Sequence, residues 1–570
     1  MELEIKNGTV YDPLNKVDGE RMDILIRDGR IVEKLKGKAD ETIDARGRIV
    51  MPGGIEIHSH FAGGKETAGR LFRPEDGART TYRRLDGMRA GSGYSMPSSF
   101  TVGYLYAQMG YTMANTPAMP PLFARHTHEE LCDVPILDKA AYPTYDGNWF
   151  VMRYLKEGDP GKLAACTAWF LKATKGLVVK LVNPGGTENW GWGRNAVSID
   201  EPVIGFDVTP AEIVKGLAEA NERLGLPHSI HLHPNNLGKP GNFETTLQTL
   251  ELTRNVPVKN GRQSMYLTHA QFHSFGGDSW KSFESRADEV AKYINGCDHV
   301  VCDTGNVTLD ETTTMTSDGP MEYFLHNLTH LKWMNKDVEL ETAPGITPFI
   351  YSRKNPVHSV QWAIGLELAL LIEDPFKVLL ATDHPNGGPF TRYPRIIAWL
   401  MSEPYRRYYI EERVHEAVQK QSSLATLDRE YTFHDVAVVT RAGQARALGL
   451  SEHKGHLGVG AHADVAIYDL NPSEIDPSRD YKAVEKAFSA TAYTVKDGEV
   501  VVRDGKVVAS PQGRTYWANP IVDHELEREM EKDIEQYFKK YYSVNLANYP
   551  VQKSYLERGR ELKIDARDVK

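Results

Sequence analysis

Six apolar runs punctuate the middle of the chain: GYTMANTP, GLVVKLVNP, HSIHLHP, SMYLTHAQF, HVVCDTG and KVLLATDHP. Helical patterns lie between them. Thr209-Pro210-Ala211-Glu212 forms a capping box with proline at the first helical position, and Gly225 closes that helix. Another helix is expected from about Trp280 to Ile294. Strands alternating with helices at this pace predict a parallel α/β architecture, either a doubly wound sheet or a (β/α)8 barrel. No G-x-G-x-x-G follows the first strand and no P-loop is present, so nothing supports a nucleotide-binding fold.

At 570 residues the chain exceeds one ordinary domain, and a barrel with smaller modules fits its length. Residues 1–50 and 451–515 are β-rich, with Asp-Gly and Asn-Gly pairs that mark hairpins. Each is too small for a core of its own, so they are expected to join into one small composite β-sandwich. Residues 51–450 would form the barrel. Long insertions at 62–100 and 305–340 are expected to be functional loops. The charged segment 516–570 is expected to be a helical extension, at the surface or docked on another subunit.

Several function classes are disfavoured. A net charge of −10 argues against nucleic acid as a partner. No run approaches the ~18 apolar residues of a membrane span. The start, MELEIKNGTV, has no signal pattern, and a cytoplasmic protein is expected. Cys132, Cys166, Cys297 and Cys302 form no C-x-x-C pair, so no iron–sulfur or disulfide-redox centre is indicated.

Polar residues at the strand ends carry the chemistry. In PGGIEIHSH, His58 and His60 are two apart and share one side of a strand. Lys180 sits in the apolar run GLVVKLV, where an unpaired ammonium is costly; it needs a carboxylate partner or a covalent change. HSIHLHP offers His231 and His233, with His228 before them. THAQFH offers His269, with His273 beyond. Asp383 closes LLATD at a strand exit. One H-x-H is a weak signal, but nitrogen and oxygen ligands at five successive strand ends point to zinc or another first-row divalent ion.

These motifs resemble the amidohydrolase superfamily, in its dihydroorotase and hydantoinase branch. PGGIEIHSH resembles the first-strand motif, and GHLGVGAHADVAIYDL the return to the β-sandwich. The resemblance implies a TIM barrel holding two Zn2+ (or other divalent ions) bridged by N6-carboxylysine at Lys180. His58, His60 and Asp383 would hold one ion, and His269 with His233 or His231 the other. Asp383 would act as the proton shuttle. The family's usual aspartate is Glu56 here.

CDVPILDKAAYPTYDGNW and ATDHPNGGPFTRYPRIIAWLMS resemble the A subunits of formylmethanofuran dehydrogenases. That family implies condensation of formate with the amine of methanofuran, in methanogenic CO2 fixation. It also implies partner subunits carrying a tungsten or molybdenum pterin and iron–sulfur clusters. The alternatives are the hydrolase subunit of a formyltransferase/hydrolase complex, or a stand-alone hydantoinase-like cyclic amidase. The insertion after His60 carries seven basic residues between Lys65 and Arg89 against four acids. Arg70, Arg73 and Arg79 are therefore candidate contacts for an anionic substrate tail, and Asn386 is a further candidate substrate contact.

Overall fold

The computed structural model describes residues 2–78, 81–82, 88–258, 261–335, 344–556 and 558–568. Its centre is a ring of parallel strands: β1 (Gly54–Glu56), β2 (Tyr111–Met119), β3 (Asp138–Pro143), β4 (Lys180–Val182), β5 (Ile230–His233), β6 (Met265–Leu267), β7 (Val300–Asp303) and β8 (Val378–Leu379). The strands pair in two arcs, β1–β2–β3 and β4–β5–β6–β7–β8. Two parallel bridges close the ring, Thr144 to Lys180 and Ser59 to His384. Of the two architectures the alternation allowed, the chain adopts the (β/α)8 barrel. The strands are short and almost wholly buried, as expected of a parallel sheet covered by helices.

The capping box at Thr209 and Glu212 opens the helix Pro210–Arg223, both of its hydrogen bonds being made. The helix expected from Trp280 begins only at Ala287, because Glu284–Ser285 pairs with Phe275–Gly276 as a small hairpin.

The flanking segments meet in one nine-stranded sheet, where Ile49–Pro52 pairs antiparallel with Val465–Tyr468. This sheet covers its own apolar cluster, which includes Leu3, Ile5, Ile26, Val465 and Val495. Asp28-Gly29, Asp497-Gly498 and Asp504-Gly505 are two-residue hairpin turns with positive φ at both positions. Asn7-Gly8 is no hairpin. It is a bulge inside the strand Glu2–Asp12, and a Cβ on Gly8 would lie 2.4 Å from Val50.

The expected helical extension is a β-α-β unit. Strands Thr515–Val522 and Gly559–Ala566 run parallel, and the first meets β3 through Lys139 and Thr515. The helix between them, His524–Tyr541, buries Met530, Ile534 and Phe538 against the chain's own helices, with Phe538 stacked on Phe150. Its apolar stripe is thus used internally.

The two insertions pack on each other above the barrel mouth. The second contains strands Glu311–Thr316 and Met334–Asn335 and the helix Gly319–Thr329, and both strands pair with Gly345–Ile350 just beyond the expected boundary. Arg73, from the first insertion, donates to Thr312 O at 2.8 Å.

Candidate metal centre

The chain leaves β1 as His58-Ser59-His60, whose alternation sends both imidazoles to one side. Ser59 pairs with His384, and the His60 N–H donates to His384 O at 2.6 Å. That closing contact carries Asp383, which leaves β8, to the two histidines. Asp383 Oδ1 lies 3.0 Å from His58 Nε2 and 3.2 Å from His60 Nε2, and the three ligand atoms lie within 4.8 Å of one another. Burial opposes ionisation of Asp383, but the imidazoles of His269 and His58 outweigh it and hold the carboxyl well below its usual range. Its other oxygen accepts from Asn386 Nδ2 at 3.0 Å.

His233, His269 and Lys180 face the same cavity. The His233 and His269 rings are 4.8 Å apart, and His269 Nε2 is 4.0 Å from Asp383 Oδ2. Lys180 Nζ lies 3.3 Å from Thr268 Oγ1, itself 3.0 Å from His269 Nε2. Burial pulls the Lys180 ammonium down to about 8, against the opposing charges of Asp383 and Asp303. His269 and Asp383 both adopt left-handed backbone, φ 37° and 49°. Gly305 makes room for the first, since a Cβ there would lie 2.5 Å from His269 Cβ.

The structure separates the two candidates of HSIHLHP. His233 ends β5 and lines the cavity. His231 lies beneath, stacked on Tyr266 at 4.1 Å with Tyr142 edge-on at 5.1 Å, and does not line the cavity. His228 is buried as well, its Nδ1 3.2 Å from Ser229 O. His273 packs behind His269 at a ring distance of 5.2 Å.

The pocket suits a cation. Asp383 Oδ1 faces two imidazole nitrogens at short range yet forms a hydrogen bond with neither. His269 Nδ1 is likewise buried without a partner. Donor atoms converging so closely in a buried pocket are costly unless protons or an ion come between them. The donors are imidazole and carboxylate with no thiolate, a set that suits zinc and its first-row neighbours.

A profile of the amidohydrolase family matches residues 41–502. The chain belongs to the amidohydrolase family. Among its relatives is Protein FwdA of Methanocaldococcus jannaschii, 57% identical over the full length of both chains. The A subunit of the formyltransferase/hydrolase complex Fhc of Methylorubrum extorquens is 35% identical, with 93% of each chain covered. The crystal structure of that organism's FhcABCD complex with methylofuran superposes with a TM-score of 0.89. It is 33% identical there and covers 99% of this chain and 100% of that one.

Within this amidohydrolase site, three supporting residues escaped the sequence reading. Asp303, at the end of β7, lies 3.3 Å from His58 Nδ1 and accepts the His269 N–H at 2.8 Å. Its signal was the same as that of Asp383, an aspartate closing an apolar run. Asp318 faces His233 Nε2 at 3.2 Å, and Lys65 Nζ lies 3.3 Å from His60 Nδ1. Both come from insertions, where no strand pattern marks them. Glu56 accepts the His58 N–H at 2.8 Å and hydroxyls of Tyr106 and Tyr393. Burial pushes its carboxyl up to about 8.

The cavity measures about 420 Å³, and its wall is mostly apolar, with Phe272, Trp280, Leu325 and Phe349 among the lining. Among the described residues, no arginine of the first insertion lines it. Arg70 donates to Phe61 O and Pro97 O and pairs with Glu130. Arg73 pairs with Glu311 and binds Thr312 O. Arg70 ties the first insertion to itself and to the helix Ala124–Cys132, Arg73 ties it to the second, and neither lines the cavity. Arg79 falls outside the described residues. Asn386 lines the cavity, orients Asp383 and accepts the Met315 N–H at 2.7 Å.

Proposed function

We propose that this chain is the A subunit of a formylmethanofuran dehydrogenase complex. It would join formate to the amine of methanofuran, and catalyse the reverse hydrolysis, in methanogenic CO2 fixation. One observation carries the reading: His58, His60, Lys180, His233, His269 and Asp383 meet at one buried cavity. The chain around that cavity matches Protein FwdA over its full length and, over nearly its full length, the A subunit of a formyltransferase/hydrolase complex that is crystallised with methylofuran. A stand-alone cyclic amidase would not need such full-length likeness to members of a complex.

His58, His60 and Asp383 would hold one divalent ion, and His233 and His269 a second, with carboxylated Lys180 shared between them. Zinc in this place supplies Lewis-acid polarisation of the formyl oxygen and a water acidic enough to attack near neutral pH. An ammonium with a pKa near 8 leaves roughly a tenth of Lys180 as free amine at pH 7, and the free amine is the form that adds CO2. Ionised Asp383 takes a proton from water and returns it to the departing nitrogen. In condensation it takes the proton from the attacking amine and gives it to the departing oxygen. Asn386 keeps the Asp383 carboxylate turned toward the histidines. The apolar wall excludes bulk water from the reacting carbon.

Condensation in water is unfavourable, and each tenfold rise in local formate offsets about 1.4 kcal/mol. Companion subunits bearing a tungsten or molybdenum pterin and iron–sulfur clusters would supply that formate. The four cysteines here form no cluster motif, which suits such a division of labour. The test is to give the purified complex 13C-formate and methanofuran. Labelled formylmethanofuran is expected, and its loss in Asp383→Asn while the redox subunits still oxidise formate. Undiminished condensation in that variant would contradict the assignment.

A further inference from the structure

Among the described residues that line the cavity, the carboxylates are Asp383 and Glu322, and Lys180 is the one lysine or arginine. Glu322 has no part in the chemistry above. It lies on the helix Gly319–Thr329, one turn beyond Asp318, and residues four apart share a helix face. Asp318 faces His233 at 3.2 Å, so the same face carries Glu322 along the wall from the metal centre. The placement is built in: a Cβ on Gly345 would lie 2.4 Å from Glu322 Cβ.

The hydrogen bonds around Glu322 do little to hold its charged form. Thr314 Oγ1 lies 2.6 Å from Thr347 O and 2.9 Å from Glu322 Oε2. The hydroxyl has one hydrogen, and the carbonyl is its nearer acceptor. Glu322 Oε2 thus shares the Thr314 hydroxyl with a closer acceptor, which leaves the charged carboxylate poorly satisfied. Burial agrees, pushing the group well above the usual range, with Asp318 and Asp383 adding to it. Lys180, His233 and His358 also face this cavity. A neutral acid in an apolar wall is poised to ionise when a cation arrives.

We propose that Glu322 is the ammonium-binding residue of the cavity, receiving the protonated primary amine of the unformylated substrate along the wall from the metal centre. This rests on the substrate reading above. On amine binding the Glu322 O–H bond breaks, the electron pair stays on the carboxylate, and one proton leaves to solvent. The formamide is neutral and displaces no proton. Glu322 thereby distinguishes the amine from its formylated form by charge.

Calorimetry on the whole complex, in phosphate and in Tris at pH 7, tests this with methanofuran and formylmethanofuran as probes. The wild type should release about one proton per methanofuran bound and none with formylmethanofuran. Glu322→Gln should abolish that release and weaken methanofuran by roughly 10- to 100-fold, the size of a lost charged hydrogen bond, while formylmethanofuran stays within a few-fold. Thr314→Val, which keeps the acid, should keep methanofuran affinity within a few-fold. Proton release that persists in E322Q, or equal losses for both probes, would overturn the proposal alone. So would a Thr314→Val loss as large as that of E322Q. If neither probe binds the wild-type complex, the substrate reading falls and the proposal with it.

Discussion

His58 and Asp383 leave the first and the last strand of the barrel, and their Nε2 and Oδ1 atoms stand 3.0 Å apart. The bridge between Ser59 and His384 that closes the ring is also what brings them together. Asp383→Asn keeps the shape and removes both the base and a charged ligand of the proposed ion. Formyl transfer and hydrolysis should both fall about 10²- to 10⁴-fold, the usual worth of a positioned proton carrier. Steady-state rates of the complex measure this, with circular dichroism as the control for folding.

Asp303 faces His58 on its Nδ1 side, at 3.3 Å, and is placed to orient the ring once His58 ligates an ion. Carboxylates that fix a ligating imidazole in this way are typically worth 10- to 100-fold in metal affinity. Asp303→Asn should therefore lose metal to a chelator at concentrations that leave the wild type loaded. Titration with a competing chelator reads the shift, and unchanged affinity would remove Asp303 from the supporting shell.

The barrel was legible in the sequence because its strands are apolar runs that end in ligand-type residues. GLVVKLVNP, SMYLTHAQF and KVLLATDHP each deliver one ligand-type residue to the cavity, Lys180, His269 and Asp383. His231 and His233 could not be separated, since period-two alternation puts both on the inner side. Depth along the barrel divides them, and depth is set by neighbours such as Tyr142 and Tyr266 rather than by spacing. The arginines of the insertion misled for a related reason. Charge excess is visible in a sequence, but whether backbone carbonyls and Glu130 or Glu311 absorb it depends on how two distant loops pack. The C-terminal strands were missed because Thr515–Val522 and Gly559–Ala566 pair across a charged helix that dominates the local pattern.

A buried ionic network ties the barrel to the flanking sheet. Asp138, which opens β3, meets Lys454 and Lys496, and these share Asp464. Burial opposes the charge on Asp138, yet the two ammonium groups hold its carboxyl far below the usual range. Asp138→Asn leaves both lysines short of a counter-charge and should cost roughly 3–5 kcal/mol of stability. Denaturant unfolding measures it, and kcat of the folded fraction should be unchanged.

His128 is enclosed in the helix Ala124–Cys132, its Nε2 2.9 Å from Thr174 O. Burial lowers its pKa to about 4. The folded state binds fewer protons than the unfolded state between about pH 4 and 6.5, so stability rises with pH across that window. It is lost as pH falls from about 6.5, by up to about 3 kcal/mol near pH 4. In His128→Gln the stability difference from wild type should shrink, or reverse, as pH drops from 7 to 4.5. Urea midpoints over that range provide the test, and a difference independent of pH would contradict it.

Lys180 decides whether two ions are bridged or two histidine clusters merely sit close together. The direct measurement pairs metal analysis of the purified chain with the mass of the peptide that carries Lys180. Two divalent ions per chain are expected, with the mass of one added CO2 on that peptide under native conditions, and Lys180→Ala should lose metal and formyl turnover together. Full metal content and normal turnover in Lys180→Ala would contradict a carboxylate-bridged pair.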